Sequence, residues 1–288
     1  MFLSAPGRST FNSDSLAKEQ TARVFSKLLA GPKFKMPSIP YLDRSAKHPL
    51  LGMCIMYPSA GALERIGPDW DWIWIDAQHG DMDFRDVMNL IRASHLIGRP
   101  SLVRVPAHDA GWIGKVLDGG AAGVIVPMIE SVAEAKAMVG AAKFPPLGNR
   151  SYGGRRIVDF LGRSYYKTAN RDTVLILQVE SNESVAIVDE LAAIEGVDGL
   201  FLGPDDLLIR DAQDVDTPKD PATLGRQYEI LVDGCRRHGK LSLGHGVTDV
   251  AMRMAREYGY NLVMGGGDVN FLANGSKNCA QKLRNFFQ

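Results

Sequence analysis

Eight short apolar runs punctuate the chain from Leu51 onward: GMCIMY (52–57), WIWID (72–76), SLVRV (101–105), GVIVP (123–127), VLILQVE (174–180), GLFLG (199–203), LSLGHG (241–246) and LVMGGG (262–267). Runs that stay apolar at successive positions suit parallel strands buried on both faces. Between them lie segments with apolar positions at helical spacing, over residues 84–97, 112–118, 132–142, 184–194, 223–238 and 247–258. This alternation predicts a parallel sheet covered by helices, and eight such units in about 240 residues favour a closed (β/α)8 TIM barrel over an open doubly wound sheet. One connection breaks the rhythm. Residues 143–172, rich in Gly, Arg and Tyr, form an excursion of the length that is usually functional or interfacial.

Both ends of the chain read differently from this repeat. Residues 1–49 form an extension ahead of the barrel domain at 50–288, with a helix expected over 15–29, Val24, Phe25, Leu28 and Leu29 on one face, Gly31-Pro32 as its stop and a Pro-rich link after it. The first 48 residues carry eight basic and three acidic side chains, but Lys outnumbers Arg and Asp14, Glu19 and Asp43 intervene, unlike an Arg-rich, acid-poor transit peptide. At the other end, Phe271, Leu272, Leu283, Phe286 and Phe287 flank a polar stretch, so this terminal helix has apolar ends suited to burial against another subunit.

Composition narrows the function. The chain has 288 residues, 45% of them apolar, with 33 basic and 33 acidic side chains. That balance excludes a polybasic nucleic-acid or membrane-surface protein, and no apolar stretch reaches the length of a membrane span. Cys54, Cys235 and Cys279 share no CxxC spacing, so a reducing, cytoplasmic setting is expected rather than a disulfide framework.

The chemistry collects at the strand ends. Glu180 and Asp206, 26 residues apart, each fall just beyond an apolar run. Residues at the carboxyl ends of barrel strands share one face, so two such acids can converge on one hard cation and leave positions open for water and a chelating substrate. As ordinary strand-end acids they would instead pair with Arg residues of the long excursion. Asp76 and His79 follow the second strand, Arg104 lies in the third, Gln178 in the fifth and His245 at the seventh. No Lys occupies a predicted strand or the position after it, so a Schiff-base mechanism lacks its amine. Metal-assisted carbonyl chemistry on a 2-oxo acid is the economical reading. Arg104 would supply planar donors to a developing oxyanion, and His79 would act as general acid/base with Asp76 orienting its ring. The bland alternative for Arg104 is an ion-pair partner in an apolar strand. His245 serves either turn geometry or catalysis, while His95, His108 and His238 read as surface or helix-end residues. Trp70, Trp72 and Trp74 read as strand packing. The glycines at 265–267 suit close backbone packing better than a phosphate cradle.

WIWIDAQHG, LVRVPAHD, LDGGAAGVIVPMIES, PPLGNRSYGG, LILQVES and GVDGLFLGPDDL, in that order and spacing, resemble the HpcH/HpaI family of class II pyruvate aldolases over residues 50–288. The resemblance implies a barrel with an exchanged C-terminal helix, a homo-oligomer (a hexamer favoured), and use of Mg, Mn or Co on 4-hydroxy-2-oxo acids with an aldehyde partner. It makes Glu180 and Asp206 the metal ligands, Arg104 the enolate contact, and His79 with Asp76 the acid/base group. It also places Gln178 and the amides around Asp205 and Asp206 on the substrate, and makes Asp118 an acid that reaches a neighbouring subunit. The chain departs from the family pattern at Gln78, Asp205 and Cys54. These positions leave the pyruvate side of the site intact and bear on the acceptor side. Alternatives are an oxaloacetate decarboxylase or macrophomate-synthase-like enzyme, a CoA-ester lyase of the malyl or citramalyl type, and a non-catalytic protein on the same barrel. The last would be marked by a lost ligand or acid/base residue, and none is lost.

Overall fold

A computed structural model describes residues 48–288; the helix expected over 15–29 and nearly all of the N-terminal extension lie outside the described residues. In chain order the elements are β1 (Leu50–Ile55), α1 (Ala60–Ile66), β2 (Trp72–Asp76), α2 (Phe84–Leu96), β3 (Ser101–Arg104), α3 (Ala110–Asp118), β4 (Gly123–Val126) and α4 (Val132–Ala142). There follow α5 (Arg155–Leu161), α6 (Tyr166–Asp172), β5 (Val174–Val179), α7 (Asn182–Ala186), α8 (Val188–Ala193), β6 (Gly199–Leu202) and α9 (Pro204–Arg210). The last elements are α10 (Pro221–Arg237), β7 (Leu241–His245), α11 (Asp249–Tyr258), β8 (Leu262–Gly267) and α12 (Asp268–Phe286). The eight strands pair in sequence order, all parallel, and β8 closes on β1. No helix among the described residues is long and apolar enough to cross a membrane.

Strand alternation divides the apolar residues between two cores. Trp72, Trp74, Leu102, Ile125, Ile176, Phe201 and Leu243 point into the barrel. Their neighbours Ile73, Ile75, Val103, Val124, Leu175 and Leu200 point outward against the helices. Both faces are apolar because both are buried, which is why the strands read as unbroken hydrophobic runs. Inside, Trp74 lies between Trp72, 6.5 Å away and stacked, and the edge of Phe201 at 5.2 Å. Trp72 and Trp74 thus pack inside the barrel, as expected.

Helix boundaries follow local signals. Asp83 and Asp86 form a reciprocal capping box at α2, Asp220 caps α10 ahead of Pro221, and Gly259 ends α11 at φ 72°, a left-handed conformation that costs glycine little. The helix expected over 184–194 is two, α7 and α8, broken at Ile187 where Val188 meets Gly234 of α10; a Cβ on Gly234 would lie 2.5 Å from the valine. The excursion at 143–172 holds two helices, α5 and α6. Its base is fastened by Lys143, 1% exposed, whose Nζ donates to the Thr173 carbonyl at 2.7 Å and to Asp198 at 2.6 Å. His95, expected at the surface or at a helix end, lies in the last turn of α2 and is buried, with its Nε2 2.9 Å from the Gly120 carbonyl oxygen; burial pushes its pKa down to about 4.

Candidate active site at the strand ends

The carboxyl ends of β2, β3 and β5 bring together a chain of four polar side chains. Asp76 ends β2, and its register partner on β3 is Arg104. The guanidinium donates to both carboxylate oxygens, Nε to Oδ1 at 2.9 Å and Nη2 to Oδ2 at 2.5 Å, in the two-pronged geometry that fixes its plane. Arg104 also lies over the Trp74 ring at 5.1 Å. Its Nη1 reaches toward Gln178 Oε1 at a long 3.5 Å, and Gln178 Nε2 donates in turn to Glu180 Oε1 in a short hydrogen bond.

Glu180 is 1% exposed, and its second oxygen accepts the Met128 N–H at 2.7 Å. Burial pushes its carboxyl upward; the Met128 hydrogen bond opposes this and the nearby Asp206 charge adds to it. Met128 takes φ 60°, uncommon for a residue with a Cβ, and this turn presents its N–H to the carboxylate. The same loop is latched by Glu130, which accepts from Ser181 Oγ at 2.6 Å and pairs with Arg210 of α9 at 2.5 Å. Gly203, between β6 and α9, has no room for a side chain, since a Cβ would sit 2.5 Å from Glu180 Oε1 and 2.8 Å from Gln178 Nε2. None of the Met128, Glu130 and Arg210 contacts was visible in the sequence, because they join a loop to residues 51 to 80 positions away. The glycine was visible only as part of GLFLGPDDL.

Asp206 stands half-buried in the first turn of α9, with no ion pair among the described residues, whereas the exposed Asp205 beside it pairs with Lys219 at 2.8 Å. Lys219 is thus a lysine that the sequence reading did not place at this face. It arrives from the loop after α9, ion-paired, and it also donates to the Val215 carbonyl, so it is not a desolvated amine. Among the described residues no group of three or more His, Cys, Asp or Glu side chains forms a metal cage. Two carboxylates do lie close enough for one to raise the other's pKa, one of them buried with its orientation fixed by two donors. That donor set fits a hard divalent cation that keeps water or substrate on its remaining positions.

One placement differs from expectation. Asp76 does not orient the His79 ring: its oxygens are taken by Arg104 and by the Gln78 and His79 backbone N–H groups at 3.1 and 3.3 Å. The exposed His79 side chain projects from a turn that Asp76 shapes. Asp118 ends α3, which returns the chain to the opposite end of the barrel. There it pairs with Arg150 of the excursion at 2.7 Å, away from this chain's own cluster. His245 packs its ring edge on Phe201 at 5.1 Å, and burial pushes its pKa down to about 4. Cys54 lies buried in the barrel interior, its thiol pushed up by burial and then by Asp76. Gly265 and Gly266 make room for Trp70 and Phe271, whose rings stack 5.9 Å apart, so this stretch serves packing. Asp268, which the sequence did not single out, is 1% exposed and accepts the Met56, Tyr57 and Val269 N–H groups, tying the end of β1 to α12.

Comparison with known proteins places the chain among aldolases. The 4-hydroxy-2-oxovalerate aldolase of Novosphingobium aromaticivorans is 40% identical over 143 residues, 49% of this chain and 55% of that protein. A hydroxypyruvate/pyruvate aldolase of Roseovarius nubinhibens is 32% identical over 221 residues, 75% of this chain and 84% of that protein. Across three aldolases matched over 143 to 160 residues, the chain spans between 55% and 63% of the relative's own length. The crystal structure of an HpcH/HpaI aldolase/citrate lyase family protein from Burkholderia cenocepacia J2315 superimposes with a TM-score of 0.74 at 32% identity, covering 82% of this chain and 95% of that one. The profile of the HpcH/HpaI aldolase/citrate lyase family matches residues 61–274, and the chain belongs to that family.

Proposed function

We propose that this protein is a divalent-metal-dependent carbon-carbon lyase that cleaves or forms 4-hydroxy-2-oxo acids through a pyruvate enolate. The observation that carries the reading is buried Glu180, held by Met128 and Gln178 with the Asp206 charge near enough to push its carboxyl upward, beside an Arg104 whose plane is fixed by Asp76. Glu180 and Asp206 would hold Mg, Mn or Co. When bound, such a cation would polarise the carbonyl of a 2-oxo acid. Arg104 would direct its remaining donors at the keto oxygen as negative charge grows there, and Trp74 beneath it keeps water from one face of the guanidinium. Gln178 would hold Glu180 in place and border the substrate. The N–H groups of Asp205 and Asp206, in the first turn of α9 where no intrahelical carbonyl reaches them, would take the substrate carboxylate. His79 would move the proton on the acceptor oxygen, directly or through water. Asp118 would act on a neighbouring subunit of a cytoplasmic homo-oligomer, a hexamer favoured.

Pyruvate release from a panel of 4-hydroxy-2-oxo acids, with oxaloacetate included, tests the reading. Cleavage of at least one hydroxy acid is expected. Decarboxylation of oxaloacetate with no aldol cleavage would replace aldolase by decarboxylase, and metal-independent activity would end the reading altogether.

A further inference from the structure

The charged machinery of the catalytic face is unevenly spread. Asp76 and Arg104 end β2 and β3, Glu180 follows β5, and Asp206 lies in α9. Across β7, β8 and β1 the strand ends present His245, Met264, glycines, Cys54 and Met56, together with Asp268, whose carboxylate is consumed by backbone N–H groups. An acceptor molecule that avoids the charged groups has this uncharged sector left to it.

A cavity of about 530 Å³ opens beside His245 and runs between α10 and α11, a volume typical of small-molecule pockets. Its wall is apolar and aromatic, formed by Tyr228, Val250, Met254 and Tyr260. Its rim has a different character. Asp205 and Lys219 neutralise each other at 2.8 Å, while Asp216 and Asp220 add negative charge, Asp220 partly spent on capping α10. The cavity reaches the catalytic face at two points: His245, whose ring rests on Phe201 inside the barrel, and Asp205, which adjoins Asp206. The Tyr228 and Tyr260 phenols are pushed further toward their neutral forms by burial, so the wall carries no charge.

We infer that this cavity receives the substituent of the aldehyde acceptor and selects aldehydes with uncharged, apolar chains over those ending in a carboxylate or phosphate. The inference rests on the aldolase reading and names its substrate class. The step itself needs no co-reactant. A proton leaves pyruvate C3, a bond forms between C3 and the aldehyde carbon, and a proton is returned to the aldehyde oxygen. An apolar chain gains by leaving water for the aromatic wall, whereas a terminal carboxylate would meet Asp216 and Asp220 and lose its hydration.

The test compares pentanal with succinic semialdehyde, which are close in length and differ in charge, and uses glycolaldehyde as an acceptor too short to enter the cavity. The full-length metal-loaded protein should condense pyruvate with pentanal at a kcat/KM at least about tenfold above that for succinic semialdehyde. Ala251→Trp, which fills the cavity from α11, should lower kcat/KM for pentanal about tenfold or more while glycolaldehyde condensation and oxaloacetate decarboxylation stay within about twofold. Val250→Trp tests the same point should the first variant fail to fold. Asp216→Lys should raise turnover of succinic semialdehyde about threefold or more at low ionic strength, and less in high salt. A pentanal to succinic semialdehyde ratio near one, or pentanal rates untouched by both tryptophan variants, overturns the pocket assignment and leaves the aldolase reading standing. Absence of metal-dependent condensation with every aldehyde overturns both.

Discussion

Glu180 illustrates how much structure is spent on one carboxylate. Its burial raises the energy of the charged form, and the compensation comes from the Met128 N–H, the Gln178 amide and, in the proposed enzyme, the cation. Gly203 permits this packing, so Gly203→Ala should push Glu180 and Gln178 aside and weaken Mn binding about 10- to 100-fold, the range seen when supporting contacts of metal ligands are lost. Isothermal titration of the purified variant reads this, and unchanged affinity would show that the carboxylate has slack. Arg104 is held just as closely. Arg104→Lys should cost about 10²- to 10³-fold in kcat, because a point charge cannot reproduce the fork that grips Asp76 while facing the substrate. His79→Ala should slow aldol cleavage and leave metal affinity nearly unchanged, since no contact joins that ring to Glu180 or Asp206 among the described residues.

Strands were far more legible than the pieces between them. The eight apolar runs matched the strands to within two residues at each end, because burial on both faces writes itself as an unbroken local pattern. Helix α9 leaves no pattern in the sequence, as its seven residues merge with the GPDD motif and carry too few turns for a period to show. Helices α5 and α6 were hidden among glycines and arginines whose partners, such as Asp118 for Arg150, lie far away in sequence. The site divided along the same line. The side chains on strands were legible from strand parity, while the Met128 turn and the Arg210 latch depend on long-range contacts. The C-terminal helix, by contrast, was legible from its composition alone. Along α12 only Asp268 is buried, while Leu272 and Leu283 are each 56% exposed and Phe286 and Phe287 each 80%. Such a surface fits burial against a second copy of the chain. Light scattering should therefore report a mass several times 31.4 kDa, and deletion after Val269 should dissociate the assembly and abolish activity together. A fully active monomer at nanomolar concentration would contradict this.

The molecule as a whole should also be sensitive to acid for a reason the barrel makes specific. His95 and His245 are both held neutral, burial lowering each pKa from 6.5 to about 4. Between those values the unfolded chain binds protons that the folded chain refuses, so these two groups contribute stability that is present above about pH 6.5 and lost as pH falls toward 4. Each is worth at most about 3 kcal/mol. Thermal unfolding from pH 7 to pH 5 should show Tm falling, with a smaller fall in the His95→Gln/His245→Gln double variant; parallel curves would remove these residues from the acid response. Barrel, acids and guanidinium meet in the dependence on a cation. The deciding measurement is pyruvate release by protein stripped of metal with a chelator, before and after adding Mg, Mn or Co. Activity should fall to background and return with the ion, and neither Glu180→Ala nor Asp206→Ala should recover. Full activity of the stripped protein, or a covalent pyruvate adduct trapped by borohydride, would contradict the account.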